Sequence, residues 1–167
     1  PPGYDAIDYI SDGRGHVRIM AMRGRDSSEN LTGLRYLYRQ AGASEWQKLP
    51  DGFEPQAVDP DLDAAYGLKK LDGRMAVYKV RLDGSLAEEL VYARPDVDVT
   101  ELVRLGLRGR VVGAAYIIDR RETVIFSPEV KKLLLAQAKS NDDKLWIAAH
   151  MSLGYFLADE DVKKVML

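Results

Sequence analysis

The chain has 167 residues, of which 46% are apolar and 30% charged, and its formal net charge is −2. This length suits one globular domain with a buried core, and the balanced charge argues against a surface built for nucleic acid or an anionic membrane. No apolar run approaches the roughly 18 residues of a membrane-spanning helix. The absence of cysteine excludes disulfides, thiolate metal sites and a cysteine nucleophile. We therefore expect a soluble protein with no nucleic-acid or membrane partner.

The first 50 residues contain four predicted strands. Segment 6–26 is a strand, a glycine-rich turn at residues 12–15 and a second strand. Segment 31–50 adds a third strand, a turn at Ala41-Gly42 and a fourth strand that carries Trp46 and Leu49. This stretch is therefore predicted to form a four-stranded antiparallel meander.

The next stretch repeats the pattern. A strand in "FEPQAVDPD" ends at Asp59-Pro60-Asp61, and three more strands follow at 64–70, 74–82 and 87–92. Asp-Gly pairs at residues 72–73 and 83–84 predict tight hairpin turns, because both residue types tolerate positive φ. In strand 74–82 the alternate positions from Ala76 to Leu82 are all apolar and the other set is mixed. This pattern predicts a strand with one well-buried face.

The third stretch reads as strands in "VTELVRLG", "RVVGAAYIID" and "TVIFSP", with turns at Arg108-Gly109 and at residues 120–122. In "EVKKLLLAQAKS" the apolar residues suit one face of a short helix near 129–139, although a strand is also compatible with them. "DKLWIAAHMS", "GYFLADED" and "VKKVML" then give a shortened last unit.

Together these units form repeats at residues 4–50, 51–95, 96–139 and 140–167. Repeats of roughly 40 to 45 residues with up to four short strands are typical of β-propeller blades, which stack because one blade cannot bury both its faces. The predicted fold is therefore all-β, with about three and a half to four propeller-like blades in a single domain. A β-sandwich or an irregular all-β domain is the alternative.

The sequence contains no catalytic constellation. The only histidines are His16 and His150, and neither has a neighbouring His or Cys at metal-ligand spacing, so a structural role is favoured for both. The acids of "DPDLDAAYG" resemble a calcium loop, but the sixth-position glycine and the closing glutamate are missing, and position 12 counted from Asp59 is Lys70. That segment is predicted to be a turn. We therefore predict neither a catalytic residue nor a metal or cofactor site.

Three arginines follow the first turn. Arg18, Arg23 and Arg25 could bind a carboxylate through their guanidinium groups, but the alternation of Arg18 with Val17 and Ile19 favours a solvated strand face. Pro1 could be a catalytic terminal amine, yet the adjoining Pro2-Gly3 favours a flexible tail. The start of the chain has neither a basic nor an apolar signal-peptide region, so the compartment, cytoplasm or periplasm, stays open.

The blade segments carry a family resemblance. "YISDGRGHVRIM", "YLYRQAGASEWQKL", "FEPQAVDPDLDAAYGLKKLDGRMAVYKVRLDGSLAEELVYARPDVDV" and "RGRVVGAAYIIDRRETVIFSPEV" resemble the N-terminal β-propeller of bacterial S9-type serine peptidases, the prolyl oligopeptidase and acylaminoacyl-peptidase-like group. In that family the propeller covers an α/β-hydrolase domain, which carries the catalytic residues and which this sequence lacks. The resemblance implies a non-catalytic segment that filters peptide access to a separate hydrolase domain.

Two other functions remain open at this point. A free-standing interaction module could pair its blade edges with another chain or with a second copy of itself. A small independent enzyme would have to use His16 or His150. The resemblance implies two partners, the hydrolase domain of the parent protein and its peptide substrates.

Overall fold

A computed structural model describes residues 6–25, 28, 30–106 and 109–138 of the chain. These residues form three antiparallel sheets, each built from strands that are consecutive in sequence. Sheet I contains β1 (Ala6–Ser11), β2 (Val17–Arg25), β3 (Leu31–Tyr38) and β4 (Gln47–Lys48). Sheet II contains β5 (Glu54–Asp59), β6 (Ala64–Leu71), β7 (Arg74–Arg81) and β8 (Glu88–Tyr92). Sheet III contains β9 (Val99–Leu105), β10 (Arg110–Ile117) and β11 (Arg121–Ile125), and helix α1 (Pro128–Ala138) follows it.

The predicted all-β fold of consecutive blade-like meanders is confirmed. Sheets I and II have the strand orders β1-β2-β3-β4 and β5-β6-β7-β8, whereas sheet III has three strands in the order β11-β10-β9. The predicted helix is also present, and its start is well specified. Ser127 caps it through its side-chain oxygen, which accepts a hydrogen bond from the Val130 N–H at 3.5 Å, and Pro128 occupies the first turn. The shortened last unit at residues 140–167 lies outside the described residues.

Sheet II is packed between the other two sheets. One core joins it to sheet I and a second core joins it to sheet III. The first core contains Ile19, Tyr38, Leu49, Phe53, Val58, Ala65, Val80 and Leu82. The second contains Ala57, Tyr66, Leu68, Val77, Val99, Leu102, Val111 and Ala114. Neighbouring residues of one strand therefore belong to different cores, as the alternation of side chains along a strand requires.

The predicted well-buried face of strand β7 is confirmed, but part of the opposite face is buried as well. Val80 lies in the first core, and Val77, on the opposite face, is fully buried in the second core. In the sequence, Lys79 and Arg81 give the face that carries Val77 its mixed polar and apolar pattern. In the structure both residues lie toward the end of the strand and are half-buried. Burial of both faces is what stacking on two sides demands of the middle sheet.

Of the two predicted Asp-Gly turns, one is as narrow as predicted and the other is wider. Asp72 and Gly73 have φ of 50° and 85° and join β6 to β7 directly, as expected for a two-residue hairpin. The turn at Asp83-Gly84 is instead part of a six-residue connection between β7 and β8. The Asp83 carboxylate accepts hydrogen bonds from the backbone N–H and the hydroxyl of Ser85, at 3.0 and 2.6 Å, which stabilises the wider turn.

Two predicted boundaries shift as well. β4 spans two residues only, so Trp46 and Leu49 flank the strand and do not belong to it. The turn between β10 and β11 lies at residues 118–120, because Arg121 and Glu122 pair with Ile117 and Tyr116 in the ladder. No helix within the described ranges is long and apolar enough to cross a bilayer.

Candidate functional site

A cleft of about 550 Å³ opens where the three sheets converge. We call it the edge cleft, because two of its walls are the edge strands β1 and β5. Residues 8–11 and Gly13 form the first wall, residues 55–58 form the second, and Arg104 and Gly109 of sheet III complete it. The volume falls within the range of roughly 300–1,000 Å³ that is usual for small-ligand pockets.

The β5 wall is shaped by a β-bulge. The register between β5 and β6 shifts between Pro55 and Ala57, so Gln56 has no partner in β6. Its side chain reaches sheet III instead, where the Gln56 Oε1 accepts a hydrogen bond from the Leu102 N–H at 3.2 Å. Bulges often re-aim a side chain next to a functional site. Here the bulge ties sheet II to sheet III beside the cleft.

The β1 wall has an acidic character. Its register with β2 shifts on both sides of the segment 8–10, so this wall is bulged as well. Asp8 pairs with Ala21, which pairs with Tyr36, and these three residues form one row across sheet I. Burial raises the pKa of the Tyr36 hydroxyl, and the negative charges of Glu54 and Asp8 raise it further. Tyr9 adds an aromatic side chain that is 48% exposed.

Arg104 supplies the positive charge of the cleft. It is exposed near the end of β9, and its Nη1 donates a long hydrogen bond of 3.4 Å to the Gln56 carbonyl oxygen. Within the described ranges no carboxylate lies within salt-bridge distance of its guanidinium. The lining of the edge cleft therefore includes both the guanidinium of Arg104 and the carboxylate of Asp8.

Two arginine–aspartate pairs hold sheet I against the β5–β6 turn of sheet II. The Arg18 Nη2 donates to the Asp63 Oδ1 at 2.6 Å, and the Arg18 Nε donates to the Arg39 carbonyl oxygen at 2.9 Å. Arg14 binds Asp61 in the same region, but both of those side chains are well exposed. The Arg18–Asp63 pair is the more protected of the two, since Arg18 is only 4% exposed.

Arg18 therefore corrects the sequence-based interpretation. The prediction of a solvated strand face is wrong for Arg18, which binds a carboxylate within its own chain. Arg23, in the same strand, is exposed. The side chain of Arg25 lies outside the described part of the structure. The alternation of residues in the sequence could not indicate the burial of Arg18, because its partner Asp63, in the β5–β6 turn, is 45 residues further along the chain.

The turn after β1 places His16 in a structural role. The Asp12 carboxylate accepts hydrogen bonds from the backbone N–H groups of Arg14 and His16, at 2.7 and 3.1 Å, and lies 3.3 Å from the His16 ring nitrogen. Burial raises the pKa of Asp12, but these backbone hydrogen bonds and the imidazole outweigh it, so the pKa lies below its ordinary value. The His16 side chain is 73% exposed, and its contact with Asp12 belongs to this turn.

The other sequence candidates that lie within the described ranges belong to a turn and a strand. The segment that resembles a calcium loop contains the turn at residues 60–63 between β5 and β6, and the Asp59 Oδ1 accepts hydrogen bonds from the Asp61 and Leu62 N–H groups of this turn. Within the described ranges no three His, Asp or Glu side chains gather as metal ligands would. Lys70 lies in β6. Pro1 and His150 lie outside the described residues.

A second polar cluster lies between sheets II and III. The Arg94 guanidinium lies 4.4 Å from the centre of the Tyr116 ring, donates to the Tyr116 hydroxyl oxygen at 2.8 Å and binds Asp96 through two nitrogens. The Tyr92 and Tyr116 rings stack with centroids 6.5 Å apart. Burial, together with the neighbouring Tyr92 and Glu122, raises the pKa of Tyr116 to about 12. Each of the three Arg94 side-chain nitrogens makes a hydrogen bond in this cluster, which links the segment after β8 to β10.

No family model, no curated protein and no solved structure matches this chain.

Proposed function

We propose that the chain is a non-catalytic blade segment of an S9-type serine peptidase, which limits the access of substrates to a separate α/β-hydrolase domain. The observation that supports this proposal is the stacking of successive meanders through both faces of sheet II. Blades of a propeller are joined in this way. Residues 53–99 and three further segments resemble the propellers of this peptidase group. This resemblance is the reason for proposing this family.

The proposed mechanism is steric exclusion. The walls of the edge cleft are strands of sheets that are fixed by two cores, so a folded protein cannot pass between them without unstacking the sheets. A cleft of about 550 Å³ accepts a short extended peptide. Short peptides would then reach the hydrolase domain, while large folded proteins would be kept out. In this function the chain itself hydrolyses nothing.

The test begins with the parent gene. A peptidase lid requires an α/β-hydrolase domain encoded in the same reading frame, and a stop codon directly after codon 167 with no such domain contradicts the proposal. Where the domain is present, we would compare the whole protein with its hydrolase domain alone on a short chromogenic peptide and on casein. The proposal expects that removal of the blades raises cleavage of casein relative to the short peptide. An unchanged ratio contradicts steric filtering.

A specific observation also favours the alternative, a free-standing interaction module. β4 pairs only with Leu37 and Tyr38, so residues 32–35 of β3 are exposed and have no partner on that side within the described ranges. Leu34 among them is 53% exposed. An unpaired edge of this kind can accept a strand from another chain. Light scattering over a concentration series tests self-association, and a stable dimer that the Leu34→Lys variant lacks would support this alternative.

A further inference from the structure

We propose that the connection between β7 and β8, residues 82–87, is a strained strap with two states, and that Leu86 is the anchor that holds it closed over one end of the first core. In the closed state the Leu86 side chain packs against that core. In the open state the side chain leaves the core and the backbone of Leu86 relaxes. The strap is a property of the joined sheets, so it does not depend on the proposed peptidase function.

Leu86 has a backbone conformation that is rare for leucine. Three described residues other than glycine have φ in the left-handed region, namely Asp63, Asp72 and Leu86, with φ of 46°, 50° and 51°. Aspartate is enriched in this region, whereas for most L-residues the Cβ comes too close to the following carbonyl oxygen there. Such a conformation persists only where the surroundings impose it. Leu86 therefore holds strain that opening of the strap would release.

The side chain of Leu86 opposes this strain. Residues 83–89 are all exposed except Leu86, which is half-buried against the first core. The printed turn of the strap is held by local hydrogen bonds: the Asp83 carboxylate accepts from the N–H and hydroxyl of Ser85, and the Ser85 hydroxyl oxygen accepts from the Ala87 N–H at 3.3 Å. These local bonds can persist when the strap moves as a unit. The burial of Leu86 is therefore set directly against the strain of its own backbone.

The strap is fixed to sheet II at both ends. At its start the Leu82 N–H donates to the Asp63 carbonyl oxygen at 2.8 Å, and Leu82 itself is fully buried. At its end the Ala87 carbonyl oxygen accepts from the Arg81 N–H at 3.0 Å. A short segment with fixed ends and an exposed middle can open locally while the strands beside it stay paired.

The middle of the strap lies against sheet I. Gly84 is so close to the segment after β3 that a Cβ at this glycine would be 2.3 Å from the Gln40 Nε2. Burial raises the pKa of the Tyr38 hydroxyl, and the negative charges of Asp83 and Asp63 raise it further, so the strap carries a charge close to this core residue. Opening would therefore admit water to the Tyr38 end of the first core and expose apolar surface where sheets I and II meet.

Two substitutions at Leu86 separate strain from burial. Leu86→Ala and Leu86→Gly both remove the anchor, but alanine keeps the strained conformation and glycine does not. In urea denaturation of the full chain we expect the folded-to-unfolded ratio of Leu86→Gly to be about three- to fivefold higher than that of Leu86→Ala. The same two substitutions at Leu90, an exposed position in β8 without a left-handed φ, are the matched control. There the usual order, with alanine more stable than glycine, should hold.

A second measurement follows the opening itself in the unsubstituted chain. Methyl relaxation dispersion at Leu86 should show exchange, on the microsecond-to-millisecond timescale, with a minor state populated at roughly 0.1–10%. Leu82 is the internal control, because it is the neighbouring leucine and is fully buried. Its methyl groups should show no exchange of this kind.

Three results would overturn the strap. A Leu86→Ala variant at least as stable as Leu86→Gly would remove the strain, and an absence of exchange at Leu86 would leave a static turn. Equal exchange at Leu82 would indicate opening of the whole core. None of these results bears on steric filtering, which is measured by the casein ratio, and a gene without a hydrolase domain would refute the peptidase function while leaving the strap in place.

Discussion

Removal of the Asp63 charge offers the sharpest test of how sheets I and II are joined. Asp63→Asn keeps the size of the side chain and also suits the backbone, because φ at this position is 46° and asparagine tolerates left-handed geometry better than most residues do. The substitution therefore changes mainly the ion pair with Arg18, whose Nη2 lies 2.6 Å from the Asp63 Oδ1.

The expected loss follows from the burial of the two partners. Breaking a fully buried ion pair by removing one partner costs about 3–5 kcal/mol, because the other charge is left without compensation. The Arg18 side chain is 5% exposed but that of Asp63 is 31% exposed, so water and the asparagine oxygen offset part of this cost. We therefore expect the free energy of unfolding to fall by about 2 kcal/mol, which corresponds to roughly 4–8 °C in the midpoint of thermal unfolding for a chain of this size.

Urea denaturation followed by circular dichroism measures this loss, with Asp61→Asn as the matched control. Asp61 lies in the same turn and binds Arg14, but its side chain is 74% exposed, and exposed pairs contribute little. The control should therefore change the free energy of unfolding by less than about 0.5 kcal/mol. A loss for Asp63→Asn that does not exceed that of the control would refute the assignment of this pair as a buried link between the sheets.

Three further predictions concern the second core and two titrating groups. Val77→Ala should lower the free energy of unfolding by about 2 kcal/mol in urea denaturation, because Val77 is fully buried against sheet III. Leu90→Ala, at an exposed position of β8, is the control and should have little effect. Equal effects of the two substitutions would contradict the second core. Because the pKa of Asp12 is lowered in the folded state, its carboxylate stabilises the fold above the ordinary pKa of 3.8, and this contribution is lost as the pH falls through the lowered value. Asp12→Asn should therefore flatten the acid limb of a plot of unfolding free energy against pH, and an acid limb as steep as that of the wild type would contradict the assignment. The pKa of Tyr116 is raised from 10.0 to about 12, so its contribution is present below pH 10 and is lost as the pH rises toward 12. Tyr116→Phe should remove the last tyrosine to ionise in an ultraviolet titration of the folded protein, and a wild-type titration that is complete near pH 10 would argue against a buried phenol.

The strands of sheet II could be predicted to within about two residues because their signals are local. Alternating apolar residues mark β7, and the Asp72-Gly73 pair supplies two positive φ angles at the hairpin. The second Asp-Gly pair carries the same local signal but forms a wider connection. The Leu82 N–H donates to the Asp63 carbonyl oxygen at 2.8 Å, which holds the end of β7 against the β5–β6 turn. A tertiary hydrogen bond of this kind leaves no trace in the local pattern.

The edge cleft could not be predicted in the same way, because its walls come from three sheets. Asp8, Gln56 and Arg104 are about 48 residues apart from one to the next, and only the stacking of the sheets brings them together. The bulge at Gln56 turns its side chain toward sheet III. Pro55 beside it is typical of an edge strand or a bulge, but it does not indicate which sheet the Gln56 side chain contacts. The burial of Arg18 could not be predicted from local sequence either. Arg18 alternates with apolar neighbours, but it is buried because a turn that is distant in sequence lies against it.

Sheet II is the element on which both the fold and the edge cleft depend. It contributes residues to both cores, it provides Asp63 for the link to sheet I, and through Gln56 it contacts Leu102 and Arg104 of sheet III. A change that loosens either face of sheet II must therefore also move one wall of the cleft relative to another. For this reason the lining of the cleft does not belong to one sheet, and each repeat taken by itself contains only part of it. The cleft lies where the edges of stacked sheets meet, which is also where bulges interrupt the ladders of β1 and β5.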